Sequence, residues 1–209
     1  MLISREEVLS ALSQHNIKIN GVLHVGAHDC EELPFYSLLG VSPNNMIWID
    51  AIQSKVEEAT HRNIPNVFQA VITDKDNDKV KFNISNNVQS SSVLEFGSHS
   101  SHHPHVQFVN SVELFTTTID TFFKTNNLDA SICDYWNIDI QGVELLALKG
   151  GSESLKNAKA VYLEVNTEEV YKGCALMSDL DKYLSDFGFK RVITHVLQYG
   201  WGDALYVKV

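Results

Sequence analysis

Apolar positions along the chain fall into short, nearly continuous runs separated by stretches of helical spacing. Val22–Gly26, Met46–Asp50, Asn66–Ile72, the run ending at Asp139 and Lys159–Val165 are each bounded by polar residues or glycine. That is the pattern of strands buried on both faces. Ser4-Arg5-Glu6-Glu7 has the spacing of a capping box, and Val8, Leu9 and Leu12 share one face, so a helix is predicted within residues 1–20. Leu33, Tyr36 and Leu39 recur at helical spacing behind Glu31-Glu32, and Gly40 ends that helix. Further helices are predicted over the polar stretch from Ser54 to Asn63, from the Thr118 cap through Ile119, Phe122 and Phe123, over Val143–Lys149, and along Met177, Leu180, Leu184 and Phe187. A strand around Val80–Ile84 follows an Asp/Asn/Lys turn, and Phe189–His195 and Ala204–Val209 close the chain. Residues 86–110, rich in Ser and His and holding Pro104, lack a period and predict a long active-site loop within 85–112. This alternation of strand and helix predicts one α/β domain over residues 1–209, with a largely parallel sheet covered on both faces.

Ligands of such sheets sit beyond the carboxyl ends of the strands. The residues at those ends are His24, Gly26, Ala27, His28 and Glu31; Asp50 and Ala51; Val71, Ile72 and Asp74; Asp139, Ile140 and Gln141; and Glu164. All are candidates for the site. A dinucleotide turn needs three glycines so that backbone can touch a pyrophosphate and the helix can pack close. Here Gly26 is followed by His28, Asp29 and Cys30, whose bulk and charge oppose a pyrophosphate, and no Walker loop is present. A nucleoside cofactor without phosphate fits better, which describes S-adenosylmethionine. Asp50 ends the second strand where a carboxylate can accept both ribose hydroxyls. The same acid also serves NAD, so it favours the methyl donor only together with the glycine-poor turn.

Charge narrows the partners. The 209 residues carry a formal net charge of -10, against a broad phosphate-binding surface and in favour of a small or neutral substrate. Three widely spaced cysteines fit reduced thiols in a cytoplasmic setting better than a disulfide framework. The absence of a long apolar segment predicts a soluble protein with no membrane partner. The chain could stand alone or be a module of a larger glycan-modifying protein.

The blocks "GVLHVGAHDCEELPFYSLLGVSPNNMIWIDA", "FQAVITDKDNDKVKFNISNNVQSSSV" and "FTTTIDTFFKTNNLDASICDYWNIDIQGVELLALKGG" resemble, in order, those of the FkbM family of S-adenosylmethionine-dependent methyltransferases. The similarity runs from about Gly21 to Val209, and "IDIQGVELLALKGG" is its most specific part. It implies a class I methyltransferase fold, a Rossmann-like three-layer sandwich whose seven-stranded sheet is mostly parallel with an antiparallel last strand. It also implies O-methylation of a sugar, glycan or related metabolite. By position, Gly26 and Ala27 match the cofactor turn, Asp50 the ribose acid, and Val71, Ile72 and Asp74 the region beside adenine. Ser90, Ser91 and Ser92 match a serine stretch, Asp139 the aspartate of the "KIDVEG" pattern, and Glu164 the acid ending the next strand. His24, Cys30, Asn137 and Gln141 depart from the family's usual acid, glycine, lysine and glutamate.

Methylating a hydroxyl requires in-line approach, exclusion of water and a group that takes the proton. Asp139, Glu164 and Asn166 resemble the divalent-metal site of catechol O-methyltransferase, where Mg or Mn would orient and acidify vicinal hydroxyls. Alternatively, Asp139 contacts the substrate with no metal. His195 is a candidate base on the expected entry side, and the tract His99–His105 reads as a lid carrying polar contacts. Trp201 and Tyr199 could offer a flat surface to a sugar face. Two rival functions stay open, a nucleic-acid methyltransferase and a non-catalytic binding module on the same fold.

Overall fold

The computed structural model describes residues 1–209. Five short parallel strands build the centre: β1 (Val22–Val25), β2 (Met46–Asp50), β3 (Val67–Gln69), β7 (Tyr135–Ile138) and β8 (Ala160–Asn166). Strands β1, β2, β7 and β8 are buried at every position, the consequence of helices on both faces. At the far side, β9 (Phe189–Val196) and β10 (Trp201–Lys208) fold back so that β10 inserts antiparallel between β8 and β9. The order is β3-β2-β1-β7-β8-β10-β9, the mostly parallel class I methyltransferase sheet that the sequence resemblance implies.

Two apolar clusters lie on opposite faces. One packs Leu23, Ile47, Trp136 and Leu163 under α5 (Ile119–Thr125), α6 (Glu144–Gly150) and α7 (Met177–Ser185). The other packs Val22, Trp48, Tyr135 and Tyr162 under α1 (Arg5–Gln14), α2 (Leu33–Leu38) and α3 (Gln53–His61). The side chains divide by strand parity, since neighbours along a strand point to opposite faces. The expected caps form: the Ser4 side chain and Glu7 close a capping box on α1, and Thr118 Oγ1 accepts from Thr121 N at 3.1 Å. No helix is long and apolar enough to cross a membrane.

Two segments differ from the sequence reading. Asn66–Ile72 does not continue as one strand: β4 (Val71–Ile72) leaves the main sheet and pairs with Thr116 and Thr117. The expected loop is shorter and more ordered, because β5 (Lys79–Ser85) and β6 (Phe108–Thr117) form an antiparallel ribbon and α4 (His99–His102) adds one turn. Most of β6 is solvated on both faces, which removes the alternation that announces a strand.

Candidate active site

The turn after β1 explains its single glycine. Gly26 has φ +90, and a Cβ there would lie 1.8 Å from the Asp139 carbonyl oxygen. The glycine thus lets the ends of the two central strands β1 and β7 touch. The amides of Gly26 and Ala27 both donate to the Ile49 carbonyl, at 2.8 and 3.0 Å. His28 and Cys30 stand where a dinucleotide turn has glycine or open space, and both hold left-handed backbone, φ 42 and φ 53. Such conformations cost roughly 1–3 kcal/mol each in a non-glycine residue. What they achieve is visible at Asp50. His28 N donates to Asp50 Oδ2 at 2.7 Å and Ile52 N to Oδ1 at 2.8 Å, which fixes the carboxylate and leaves lone pairs on both oxygens for a ligand. Burial raises the Asp50 pKa, opposed by those two backbone donors.

Beside Asp50 opens a narrow cleft in which ten of the eleven lining residues are apolar. Ala51, Val71, Ile72 and Ile140 line it as the sequence places them, and Phe82 and Val93 join from the ribbon side. Its chemistry suits a flat heterocycle. Asp74 is not part of it: the residue is exposed and packs its backbone over Gly150 of α6. Ala27 is buried in the core and its backbone is used within the turn, accepting from Cys30 N at 2.7 Å. Ser91 accepts from Ser85 N at 3.0 Å and donates to the Val88 carbonyl at 2.5 Å. It therefore shapes the loop, while its neighbour Ser90 lines the larger cavity.

That cavity, about 520 Å³, shares Gly26 with the cleft and is lined by His24, His28, Glu31, Asp139, Gln141 and Glu164, among others. Its floor is the Asp139–Gly142 turn, with left-handed φ 57 at Gln141 and 104 at Gly142. Glu144 holds this turn from below. Its Oε1 accepts from Ile140 N at 3.0 Å and Gly142 N at 3.1 Å, inside the core, and burial pushes its pKa upward. Gln141 then reaches between the two acids: Nε2 donates to Asp139 Oδ1 at 2.6 Å and to Glu164 Oε2, and Oε1 accepts from Tyr171 OH at 2.5 Å. The Tyr171 hydroxyl sets this amide orientation.

Glu164 is buried, whereas Asp139 opens to the cavity. Burial first, and then the Asp139 charge, raises the Glu164 pKa well above the ordinary glutamate value of 4.5. Glu164 thus keeps its proton to higher pH, because its burial and its charged neighbour both oppose ionisation. A raised folded-state value means that Glu164 contributes stability below its unfolded pKa and loses it as pH rises through the folded one. Wild-type protein should therefore lose more of its urea midpoint between about pH 5 and about pH 8 than Glu164→Gln does; parallel denaturation curves for the two would refute the assignment.

Two expectations for this region are corrected. The Asp139, Glu164 and Asn166 set does not fit a metal: the Gln141 N–H occupies the space between the two carboxylates where a cation would need lone pairs, and Asn166 is buried outside the cavity. His195 is not a base here. It points to the N-terminal helix, where its Nε2 lies 3.0 Å from Glu7 Oε1, and it takes no part in the cavity. His24 lines the cavity with its ring tied to Tyr36. Asn137 Nδ2 donates to Tyr36 OH at 2.8 Å, leaving the Tyr36 hydrogen for His24 Nδ1 at 3.0 Å, and burial lowers the His24 pKa so that the ring stays neutral.

Sequence reasoning missed Glu144, Tyr171 and the Tyr162–Asp203 pair, which lines the cavity wall and is joined by a hydrogen bond. Glu144 had a local signal, an acid two residues past the glycine of "IDIQG". Tyr171 had none, being thirty residues from Gln141.

The sequence model of the methyltransferase FkbM domain matches residues 11–191. No curated protein matches the chain. Among solved structures, an S-adenosylmethionine-dependent methyltransferase from Aquifex aeolicus is 14% identical, with TM-score 0.47, covering 100% of this chain and 91% of that one. Magnesium protoporphyrin IX methyltransferase from Synechocystis PCC 6803, solved with bound S-adenosylmethionine, is 11% identical, with TM-score 0.47 and coverage of 98% and 78%. Precorrin-6y C5,15-methyltransferase from Geobacter metallireducens is 12% identical, with TM-score 0.48 and coverage of 98% and 88%.

Proposed function

The chain belongs to the FkbM methyltransferase family, and from that premise we propose that it transfers the methyl group of S-adenosylmethionine to a hydroxyl of a sugar or related small molecule. The residues present suit the donor. Asp50 keeps free lone pairs for two ribose hydroxyls, the apolar cleft beside Ala51 and Ile72 accepts adenine, and Gly26 leaves its backbone bare where cleft and cavity meet. The turn has His28 and Glu31 in place of the second and third glycines that let a dinucleotide site bring its backbone to a pyrophosphate.

When bound, the donor supplies an electrophilic methyl group carried on a sulfonium. The chain supplies the rest. Asp139, open to the cavity and tied to buried Glu164 through Gln141, is placed to receive the acceptor's hydroxyl proton as the oxygen–carbon bond forms and the carbon–sulfur bond breaks. The single observation that carries this reading is the position of Asp139, an exposed carboxylate on the floor of the cavity that shares Gly26 with the apolar cleft. Carboxylates at the floor also attract a cationic donor over its uncharged thioether product.

Release of S-adenosylhomocysteine in the presence of a panel of sugars and their deoxy derivatives tests the reading. Turnover that vanishes when one hydroxyl is removed supports O-methylation, and turnover only with an amine or carbon acid would refute it. A second expectation concerns the donor alone. Asp50→Ala should weaken its binding more than tenfold by calorimetry, since each charge-assisted hydrogen bond is worth roughly 1.5–3 kcal/mol; an unchanged affinity would remove Asp50 from the ribose site.

A further inference from the structure

His99 is a cavity residue that the chemistry above leaves without a role. His99, in the turn α4, is 6% exposed, lines the same cavity as Asp139 and Glu164, and its Nδ1 is buried without a hydrogen-bond partner. Burial first, and then the neighbouring His103, His102 and His105, lowers its pKa to about 4, with no hydrogen bond contributing. The ring is therefore neutral at pH 7, with one nitrogen donating and one accepting.

The ring is also fixed in place. It stacks on Phe96 at 4.3 Å between centroids and 8° between planes, and Phe96 stacks on Phe108 at 3.9 Å and 16°. The backbone beneath is clasped, with Gly97 N and His99 N donating to the Val170 carbonyl at 2.9 and 3.2 Å. Glu168 ties the same turn through Ser98 Oγ at 2.6 Å and His102 Nε2 at 2.8 Å. A phenylalanine would complete the three-ring stack without burying an unsatisfied nitrogen. Nδ1 is closed off from a ligand as well as from solvent, so a molecule in the cavity meets the ring at Nε2, for which the protein supplies no hydrogen-bond partner.

The charges around it define that ligand. The cavity presents the carboxyl groups of Glu31, Glu32, Asp139, Glu164 and Asp203, with no lysine or arginine among its lining residues. An anionic group there would meet like charge and neither a lysine nor an arginine.

We propose that His99 is an acceptor-binding residue, and that its subsite takes a hydroxylated ring bearing no phosphate or carboxylate. A neutral imidazole matches a hydroxyl in either sense, as donor or acceptor, and is a poor partner for a phosphate beside arginine or lysine. The proposal rests on the methyl-transfer reading and identifies the acceptor class of that site.

The test is calorimetric titration of protein saturated with S-adenosylhomocysteine, using four probes on one scaffold: methyl α-D-glucoside, glucosamine, glucose 6-phosphate and glucuronic acid. The first two should bind at least about tenfold more tightly than the last two, the scale of one lost hydrogen bond to a charged or buried partner. His99→Phe, which keeps the stack, should weaken the first two about tenfold while leaving S-adenosylhomocysteine affinity within about twofold. Equal or tighter binding of an anionic probe, no discrimination including no binding by any probe, or unaltered binding in His99→Phe would each overturn the proposal. Should His99→Phe not fold, protection of His99 from carbethoxylation by methyl α-D-glucoside, mapped by mass spectrometry on the unaltered protein, replaces it, and absence of protection overturns it. Failure of S-adenosylhomocysteine itself to bind would instead refute the methyl-transfer reading, so the two failures are distinguishable.

Discussion

Asp139→Asn should lower single-turnover methyl transfer by roughly 100-fold or more, the range that a positioned general base contributes, while affinity for S-adenosylhomocysteine, uncharged at sulfur, changes by less than about threefold. The substitution preserves shape. An asparagine oxygen can still accept the Gln141 Nε2 hydrogen bond, 2.6 Å long in the native protein, and the backbone that meets Gly26 is untouched. What disappears is the negative charge facing the cavity, and with it the site for the acceptor's proton. The Glu164 carboxyl, freed from its charged neighbour, should fall back toward an ordinary pKa because the Asp139 charge is among the causes that raise it. Quenched-flow measurement of S-adenosylhomocysteine formation, with calorimetry of S-adenosylhomocysteine binding, separates the two effects. A variant with native rate and native affinity would show that the proton leaves by another route.

Gly26→Ala should produce the largest loss of stability. Its new Cβ would sit 1.8 Å from the Asp139 carbonyl oxygen, and that oxygen belongs to a strand end held in register by the pairing of Val25 with Ile138. Neither strand can yield without opening the centre of the sheet. Strain at positive φ adds roughly 1–3 kcal/mol and overpacking roughly another 1–3 kcal/mol. A net loss of about 3–5 kcal/mol is expected, a large part of the stability of a typical domain. Gly40→Ala is the control: φ is +80 there, but nothing lies within 4 Å of the added carbon, so only the backbone strain should appear. Urea denaturation of both variants checks the difference, and equal losses would mean that the contact with Asp139 relaxes. Donor binding should be undetectable in Gly26→Ala and native in Gly40→Ala.

The central strands were legible because burial on both faces leaves little choice of residue. Met46–Asp50 is the strand at both levels, and Gly150 and Gly188 stop helices where expected. The ribbon was not legible. Strand β6 buries little, so its residues answer to solvent rather than to a core, and β4 turns aside to pair with Thr116 and Thr117, a choice fixed by distant partners. The site follows the same division. Parallel topology alone carries Gly26, Asp50, Asp139 and Glu164 to one end of the sheet. Orientation about the strand decides the rest: His195 turns toward Glu7, Asn166 stays covered, and Asp74 passes outside the cleft. Tyr171 and His99 reach the cavity through a clasp between two loops, for which no short spacing in the chain gives a sign.

Calorimetric titration of the protein with S-adenosylmethionine and, separately, with NAD tests the main claim most directly, namely that the single-glycine turn and Asp50 form a seat for an adenosyl group without a diphosphate. Saturable one-to-one binding of S-adenosylmethionine, lost in Asp50→Ala, with no heat from NAD, is the expected result. Binding of NAD with none of S-adenosylmethionine would contradict it.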